Sequence, residues 1–231
     1  MKTDHEKEVF DLVRLIFRGI RTAVMREEFF AVVDFLHGID SCCGYLDLNE
    51  GFNNWLVPKL GLKSCYREWP WLVLDLFHVS DEEDKRVIPG QERELIAGLG
   101  ALLCEYIDEK KAGDIDRHSR NQVFSMVETI FETPSVFVMR EEFFAVVDYI
   151  NGIDSCCEYL ELNRGFHDWL LPKLGLRSCS YAWPWLVLKL LPGYEADHMA
   201  RVFPSREREL IDGLGKLMCE YLNEKQSNAF R

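Results

Sequence analysis

Long apolar runs are missing from this sequence. No stretch approaches the roughly 18 consecutive apolar residues of a membrane-spanning helix. The opening MKTDHEKEVFDLVRLIF interleaves its apolar residues with Asp, Glu and Arg, unlike a signal peptide. A membrane is therefore not an expected partner, and the expected compartment is the cytoplasm. Positive charge is also scarce. Thirty-nine Asp and Glu stand against 27 Lys and Arg, for a net charge of −12, which argues against nucleic acid because phosphate contacts rely on basic side chains. The same imbalance favours a basic macromolecular partner. GxSxG, HExxH, P-loop and GxGxxG patterns are all lacking, so the common motif-borne chemistries and their cofactors have no support.

Apolar residues, by contrast, make up 48% of the chain and aromatics 13%, enough to expect a packed core. The main feature is a repeat. Sliding residues 25–76 onto 139–190 gives 38 identities in 52 positions, among them REEFFAVVDFLHGIDSCC (26–43) against REEFFAVVDYINGIDSCC (140–157). With one inserted residue, VIPGQERELIAGLGALLCEYIDEK (87–110) matches 202–225. A unit of about 110 residues is the size of a domain, not of a solenoid repeat. The sequence therefore reads as a tandem duplication with copies at 1–113 and 114–231, packed about a pseudo-twofold axis.

Each copy carries five helical segments. The first spans about 5–23, and its shorter counterpart, 119–132, stops at Thr133-Pro134. The second covers about 26–48 and 140–162, with Val32, Leu36, Ile39, Cys43 and Leu46 at spacings of three and four. The third lies around GFNNWLVPKLGL, where Pro58 must end or kink it. The fourth starts at Trp69-Pro70; its apolar run WLVLDLF fits a buried helix or a buried strand. The fifth, QERELIAGLGALLCEYIDEK, presents Leu95, Leu99, Leu102 and Tyr106 on one face. Its glycines Gly98 and Gly100 imply close helix–helix approach. The fold class expected is all-α.

Comparing the copies assigns faces. Asp34, His37, Ser41 and Gly44 form a polar stripe, and two exchanges, His37 to Asn151 and Gly44 to Glu158, fall on it. The stripe is expected to face solvent. Eight cysteines, at 42, 43, 65, 104 and at 156, 157, 179, 219, occupy matching positions. Adjacent pairs on a helix diverge by about 100°, so they read as buried thiols, with metal binding or a disulfide as alternatives. No mapped histidine recurs in both copies. The shared acids Glu27, Glu28, Asp34, Asp40, Glu92, Glu94, Glu105 and Glu109 suit solvated faces and helix starts; the alternative is general acid–base or metal chemistry. The EWPW phrase (68–71) reads as core anchoring.

The copies part company at SDEEDK (80–85), whose counterpart YEADHM carries fewer acids, and at Asp75, which becomes Lys189. Through Asp114 the chain has 22 acids and 14 basic residues, net −8; the remainder has 17 and 13, net −4. If a basic partner binds, Asp81, Glu82, Glu83 and Asp84 are the first place to look. In this character, acidic, helical, duplicated and without a recognisable site, the chain resembles bacterial immunity proteins that neutralise toxins of type VI or related secretion systems. The resemblance implies a non-catalytic inhibitor that occludes a basic toxin domain such as a nuclease. It implies contact through 81–84, with Glu68, Asp47 and Glu50 as further candidates. Two other readings compete: a metal-dependent hydrolase using the shared carboxylates, and a scaffold that receives a partner's helix in a groove.

Overall fold

The computed structural model describes residues 11, 13–17, 19–78, 90–110, 119–157, 159–191 and 206–229. Among these residues every regular element is helical, so the all-α expectation holds and WLVLDLF is helix, not strand. No helix among them is long and apolar enough to cross a membrane.

A helical stretch at 13–17 precedes a single turn, α1 (Ile20–Ala23). The sequence FFAVVDFLHGIDSCC then forms α2 (Phe29–Cys43), which is buried almost all round. A helix apolar on every side belongs at the centre of a molecule. It is shorter than the expected 26–48 because Gly44 takes the left-handed conformation (φ 60°) and stops it. A π-helical turn, Leu48–Phe52, leads into α3 (Asn53–Lys59). Pro58 sits inside α3, one residue before its end. Next come α4 (Trp69–Phe77), with Pro70 in its first turn, and α5 (Glu92–Glu109).

The order then recurs. Helix α6 (Arg120–Glu132) opens on a capping box in which Ser119 and Gln122 each accept the other's backbone N–H. After a 3-10 turn at Pro134–Val136 come α7 (Phe143–Cys157), a second π turn (Leu162–Phe166) and α8 (His167–Lys173). Helices α9 (Trp183–Leu190) and α10 (Glu207–Ala229) complete the described chain.

Two apolar clusters fill the interior, one drawn from Val13 to Ile107 and the other chiefly from Val123 to Leu222. Each centres on the same aromatic group. Phe52 meets Trp55, Trp69 and Tyr106 at ring separations of 5.2–5.7 Å; Phe166 meets Trp169, Trp183 and Tyr221 at 5.2–5.8 Å. The long last helix of each half, α5 or α10, ties down the short helix α3 or α8 in the same manner. Lys59 pairs with Glu105 (2.7 Å) and the Trp55 indole donates to Glu109 (2.8 Å). In the other half Lys173 pairs with Glu220 (2.6 Å) and Trp169 donates to Glu224 (2.9 Å).

Helices α2 and α7 meet backbone to backbone. A Cβ built on Gly38 would fall 2.0 Å from the Tyr149 carbonyl oxygen; one on Gly152 would fall 2.1 Å from that of Phe35 and 3.1 Å from Gly38 Cα. Ahead of this crossing Arg26 bonds Glu142 and Arg140 bonds Glu28, and beyond it Cys156 packs against the cluster that holds Cys42. Contacts therefore climb both helices together, and the two run parallel. The glycines of α5 act differently from expectation. Gly98 and Gly100 admit the side chains of Phe77 and Phe17, not a neighbouring backbone.

An added methyl at the crossing has nowhere to go, since the obstacle is main chain. Gly38→Ala and Gly152→Ala should each lower stability by about 3 kcal/mol or more in urea titrations. Gly44→Ala, whose Cβ meets open space, should cost only about 1 kcal/mol through its left-handed backbone.

Candidate functional site

The polar stripe of α2 is not evenly open to water: Asp34 is buried, His37 and Ser41 are half-buried, and Gly44 is exposed as expected. Asp34 and its counterpart Asp148 are both 0% exposed. The Oδ1 of Asp34 accepts the Met139 N–H (2.9 Å), and that of Asp148 accepts the Met25 N–H (2.8 Å). Each carboxyl thus pins the chain just ahead of the other core helix. Around them Arg26 bonds Glu142 (2.9 Å) and Arg140 bonds Glu28 (3.2 Å), closing a four-charge square with Arg26–Glu28 and Arg140–Glu142, both 3.5 Å. The second oxygens of both aspartates are buried without a protein partner. Burial pushes Asp34 up to about 7 and raises Asp148 well above the carboxylate range, against the opposing pull of the backbone N–H bonds and the two arginines.

Several of the other shared acids hold the fold together. Asp40 accepts the N–H groups of Asp47 (2.7 Å) and Leu48 (3.0 Å), fixing the entry to the π turn. Glu92 accepts the Phe29 N–H (2.6 Å), and Glu207 that of Phe143 (2.5 Å). These two acids head their own helices and also cap α2 and α7, which have no acid in their first turns. Among the described residues no group of three or more His, Cys, Asp or Glu is arranged to hold a metal ion.

A cleft of about 770 Å³ opens between the halves. His37, Asp40 and Ser41 of α2 form one wall, residues 65–68 and Trp71 another, and Ser135–Met139 with Tyr149 the third. The corresponding cleft on the other side, about 450 Å³, is lined by Leu15, Ile16, Val24 and Phe35 opposite Asn151 and Trp183, and is less polar.

Most differences between the halves here turn out to be compensated. The Trp69 indole donates to His37 Nε2 (3.0 Å), and the Trp183 indole donates to Asn151 Oδ1 (3.3 Å). His37 and Asn151 thus perform one task, accepting a hydrogen bond from a buried tryptophan. Burial drives His37 down to about 4, so it is neutral and carries its proton on Nδ1. Arg67 pairs with Asp75 (2.5 Å), whereas the matching Tyr181 and Lys189 make a cation–π contact (3.8 Å). The change at Asp75 is therefore half of a paired exchange. Asn53 and Asn54 become His167 and Asp168, which bond each other at 2.9 Å.

Three differences have no such compensation. Tyr66, Glu68 and Glu50 stand where the second half has Ser180, Ala182 and Arg164, all six exposed. Tyr66 is fully exposed, at 105%, and sits beside Glu68 on the cleft rim. Glu68 makes no ion pair among the described residues. Of the other sequence candidates, Glu50 is exposed in the π turn, whereas Asp47 serves that turn, accepting the Gly51 N–H (3.1 Å) and lying 3.7 Å from Lys110. Asp81, Glu82, Glu83 and Asp84 lie outside the described residues. Tyr66 is the site residue that reading for acids alone passed over; the exchange of a large aromatic for Ser180 was the available signal. No protein-family model matches the chain, and neither does any curated protein or solved structure.

Two pH effects of opposite sign follow. His37 titrates lower in the folded chain than the roughly 6.5 of an unfolded histidine. Its stabilisation is complete above pH 6.5 and is lost as pH falls toward 4. His37→Asn should keep the acceptor and remove that loss, while His37→Leu should cost about 1–3 kcal/mol at neutral pH by orphaning the Trp69 N–H. For Asp34 the folded value is the higher one, so stability declines as pH rises from about 4 through 7, and Asp148, also raised by burial, adds a decline of the same sign. The Asp34→Asn/Asp148→Asn variant should gain about 1 kcal/mol or more on the parent between pH 5 and pH 8, read as the difference in urea midpoints.

Proposed function

We propose that this chain is a non-catalytic binding protein that neutralises a basic protein partner, in the manner of a bacterial immunity protein occluding a toxin domain. The carrying observation is the cleft rim on the first half, where exposed Tyr66 stands next to Glu68, a carboxylate with no ion pair among the described residues. An aromatic anchor beside an available charge is the chemistry of an interface hot spot. The rim belongs to the half with net charge −8, which would speed encounter with a basic surface. The acidic run Asp81–Asp84 follows α4 in sequence, and Glu50 adds to the same sign; Asp47, committed to its turn, is the weakest of the contact candidates. We read the two halves as a tandem duplication about a pseudo-twofold axis between α2 and α7, supported by the reciprocal Asp34–Met139 and Asp148–Met25 bonds. In this reading the protein acts in the cytoplasm of the producing bacterium. A hydrolase built on the shared carboxylates finds less support, because Asp34, Asp40, Glu92, Glu105 and Glu109 are each engaged in holding the fold.

The test is co-expression with a basic protein encoded beside this chain, followed by binding kinetics at several salt concentrations. A complex should form and the partner's toxicity should be suppressed. Glu68→Lys combined with reversal of Asp81, Glu82, Glu83 and Asp84 should slow association about tenfold or more and flatten its salt dependence. Tyr66→Ala should instead speed dissociation. Unchanged association rate and salt slope in the charge-reversed variant would remove this surface as the docking site.

A further inference from the structure

The larger cleft differs from its counterpart in chemistry as well as in size. Where Ala23, Phe35 and Ala182 line the smaller one, Phe137, Tyr149 and Glu68 line the larger. Each exchange adds a ring, a hydroxyl or a carboxylate to one cleft only. Phe137 meets Tyr149 edge to face, with ring centroids 5.8 Å apart, and the Tyr149 hydroxyl donates to Ser41 (2.6 Å). Phe35 has no hydroxyl for such a bond, and the matching Ser155 donates to the Asn151 carbonyl instead (2.7 Å). On another wall Trp71 packs against Phe30 (5.4 Å), and Tyr66 stands exposed at the rim. The charge of the cleft is acidic. Arg67, the only arginine or lysine lining it, is paired with Asp75. His37 accepts the Trp69 N–H and is neutral, whereas Glu68 makes no ion pair among the described residues. Asn53 also lines the cleft, and its Oδ1 is buried without a hydrogen-bond partner among the described residues; the matching His167 is bonded to Asp168.

We propose that the larger cleft is an arginine-binding site: it receives one arginine side chain of the partner, paired with Glu68 and held among the rings of Tyr66, Trp71 and Phe137. The inference rests on the reading of this chain as a binder of a basic protein and names the side chain that it recognises. Aromatic rings attract a cation through their electron-rich faces, and a carboxylate at the rim supplies the opposite charge. Arginine suits this lining better than lysine. Its planar guanidinium stacks on rings, is less strongly hydrated than an ammonium, and spreads five N–H donors over a fork. One edge of that fork can meet Glu68 in two parallel bonds, leaving donors for an unmatched acceptor such as Asn53 Oδ1, the kind of buried group that ordinarily has a partner. Arg67 does not oppose the guest, because Asp75 offsets its charge. The smaller cleft has alanine in place of both Phe137 and Glu68 and offers neither the added ring nor the charge.

The test uses the full chain without a partner and three probes: the N-acetyl amides of arginine, lysine and norleucine. Titration followed by assigned amide NMR should give saturable shifts centred on Tyr66, Glu68 and Phe137. The arginine probe should bind with a dissociation constant of about 1–10 mM, lysine about fivefold or more weakly, and norleucine not at all. Glu68→Gln and Tyr66→Ala change exposed side chains and should each weaken arginine binding about fivefold or more. Leu15→Ala, in the smaller cleft, should leave it unaltered. No saturable shift with arginine, an equal response to lysine or norleucine, shifts centred on the smaller cleft, or undiminished binding by Glu68→Gln would each overturn the proposal. The unsubstituted chain alone decides the first three, even if a variant folds poorly. If the arginine probe fails while co-expression yields a complex, the arginine site falls and the binding reading stands. If it binds as expected while no complex forms, the arginine site stands and the binding reading falls.

Discussion

The contact of Gly38 with Gly152 is the constraint on which the rest of the molecule depends. Larger side chains hold packed helices roughly 8–10 Å apart; here carbonyl oxygens occupy the space where side chains would begin. That approach lets α2 and α7 serve as a shared central pair, each buried by its own half on one side and by the other helix on the second. It also decides which residues meet. Four positions before the glycines come the two aspartates, and four positions after them the cysteines. A residue with a Cβ at either crossing position would separate both sets together.

Burying two carboxyl groups at such a junction is costly unless they are neutral or well bonded. The solution combines both. Each aspartate accepts a backbone N–H from the segment leading into the opposite helix, and burial favours its protonated form. The four-charge square of Arg26, Glu28, Arg140 and Glu142 surrounds them where side chains are 29–39% exposed, so its members remain partly hydrated. The arrangement fixes register. A slip of α2 along α7 would strand a carboxyl without its N–H.

Much of this architecture was legible in the sequence, and the exceptions have a common cause. Helix periodicity, Pro at the start of α4 and the repeat itself all depend on local chemistry, which a single chain displays; Gly44, which ends α2, was read instead as part of its polar stripe. The stripe Asp34, His37, Ser41 did not read correctly, because its neighbours come from more than 30 or 100 residues away. Water and a hydrogen-bonding partner both tolerate polar side chains at helical spacing. An exchange such as His37 for Asn151 looks like drift on a wet surface until the Trp69 and Trp183 indoles are seen pointing at it. The glycines of α5 failed for the same reason: spacing announces a close approach but not whether backbone or phenyl ring fills it.

That distinction sharpens the use of an internal repeat. Two copies of a sequence in one fold differ for two reasons, exchange of equivalent solutions and divergence of task. An equivalent solution leaves a physical trace in both copies, as with the acceptor for the tryptophan or the ion pair Arg67–Asp75 traded for the Lys189–Tyr181 contact. Tyr66 and Glu68 leave none: removing the phenol and the carboxylate in the second half costs no bond seen among the described residues. Large, exposed and on the rim of a cleft, they are the side chains that the proposed partner would meet first. The acidic half is thereby distinguished from its twin by what it presents, not by how it folds.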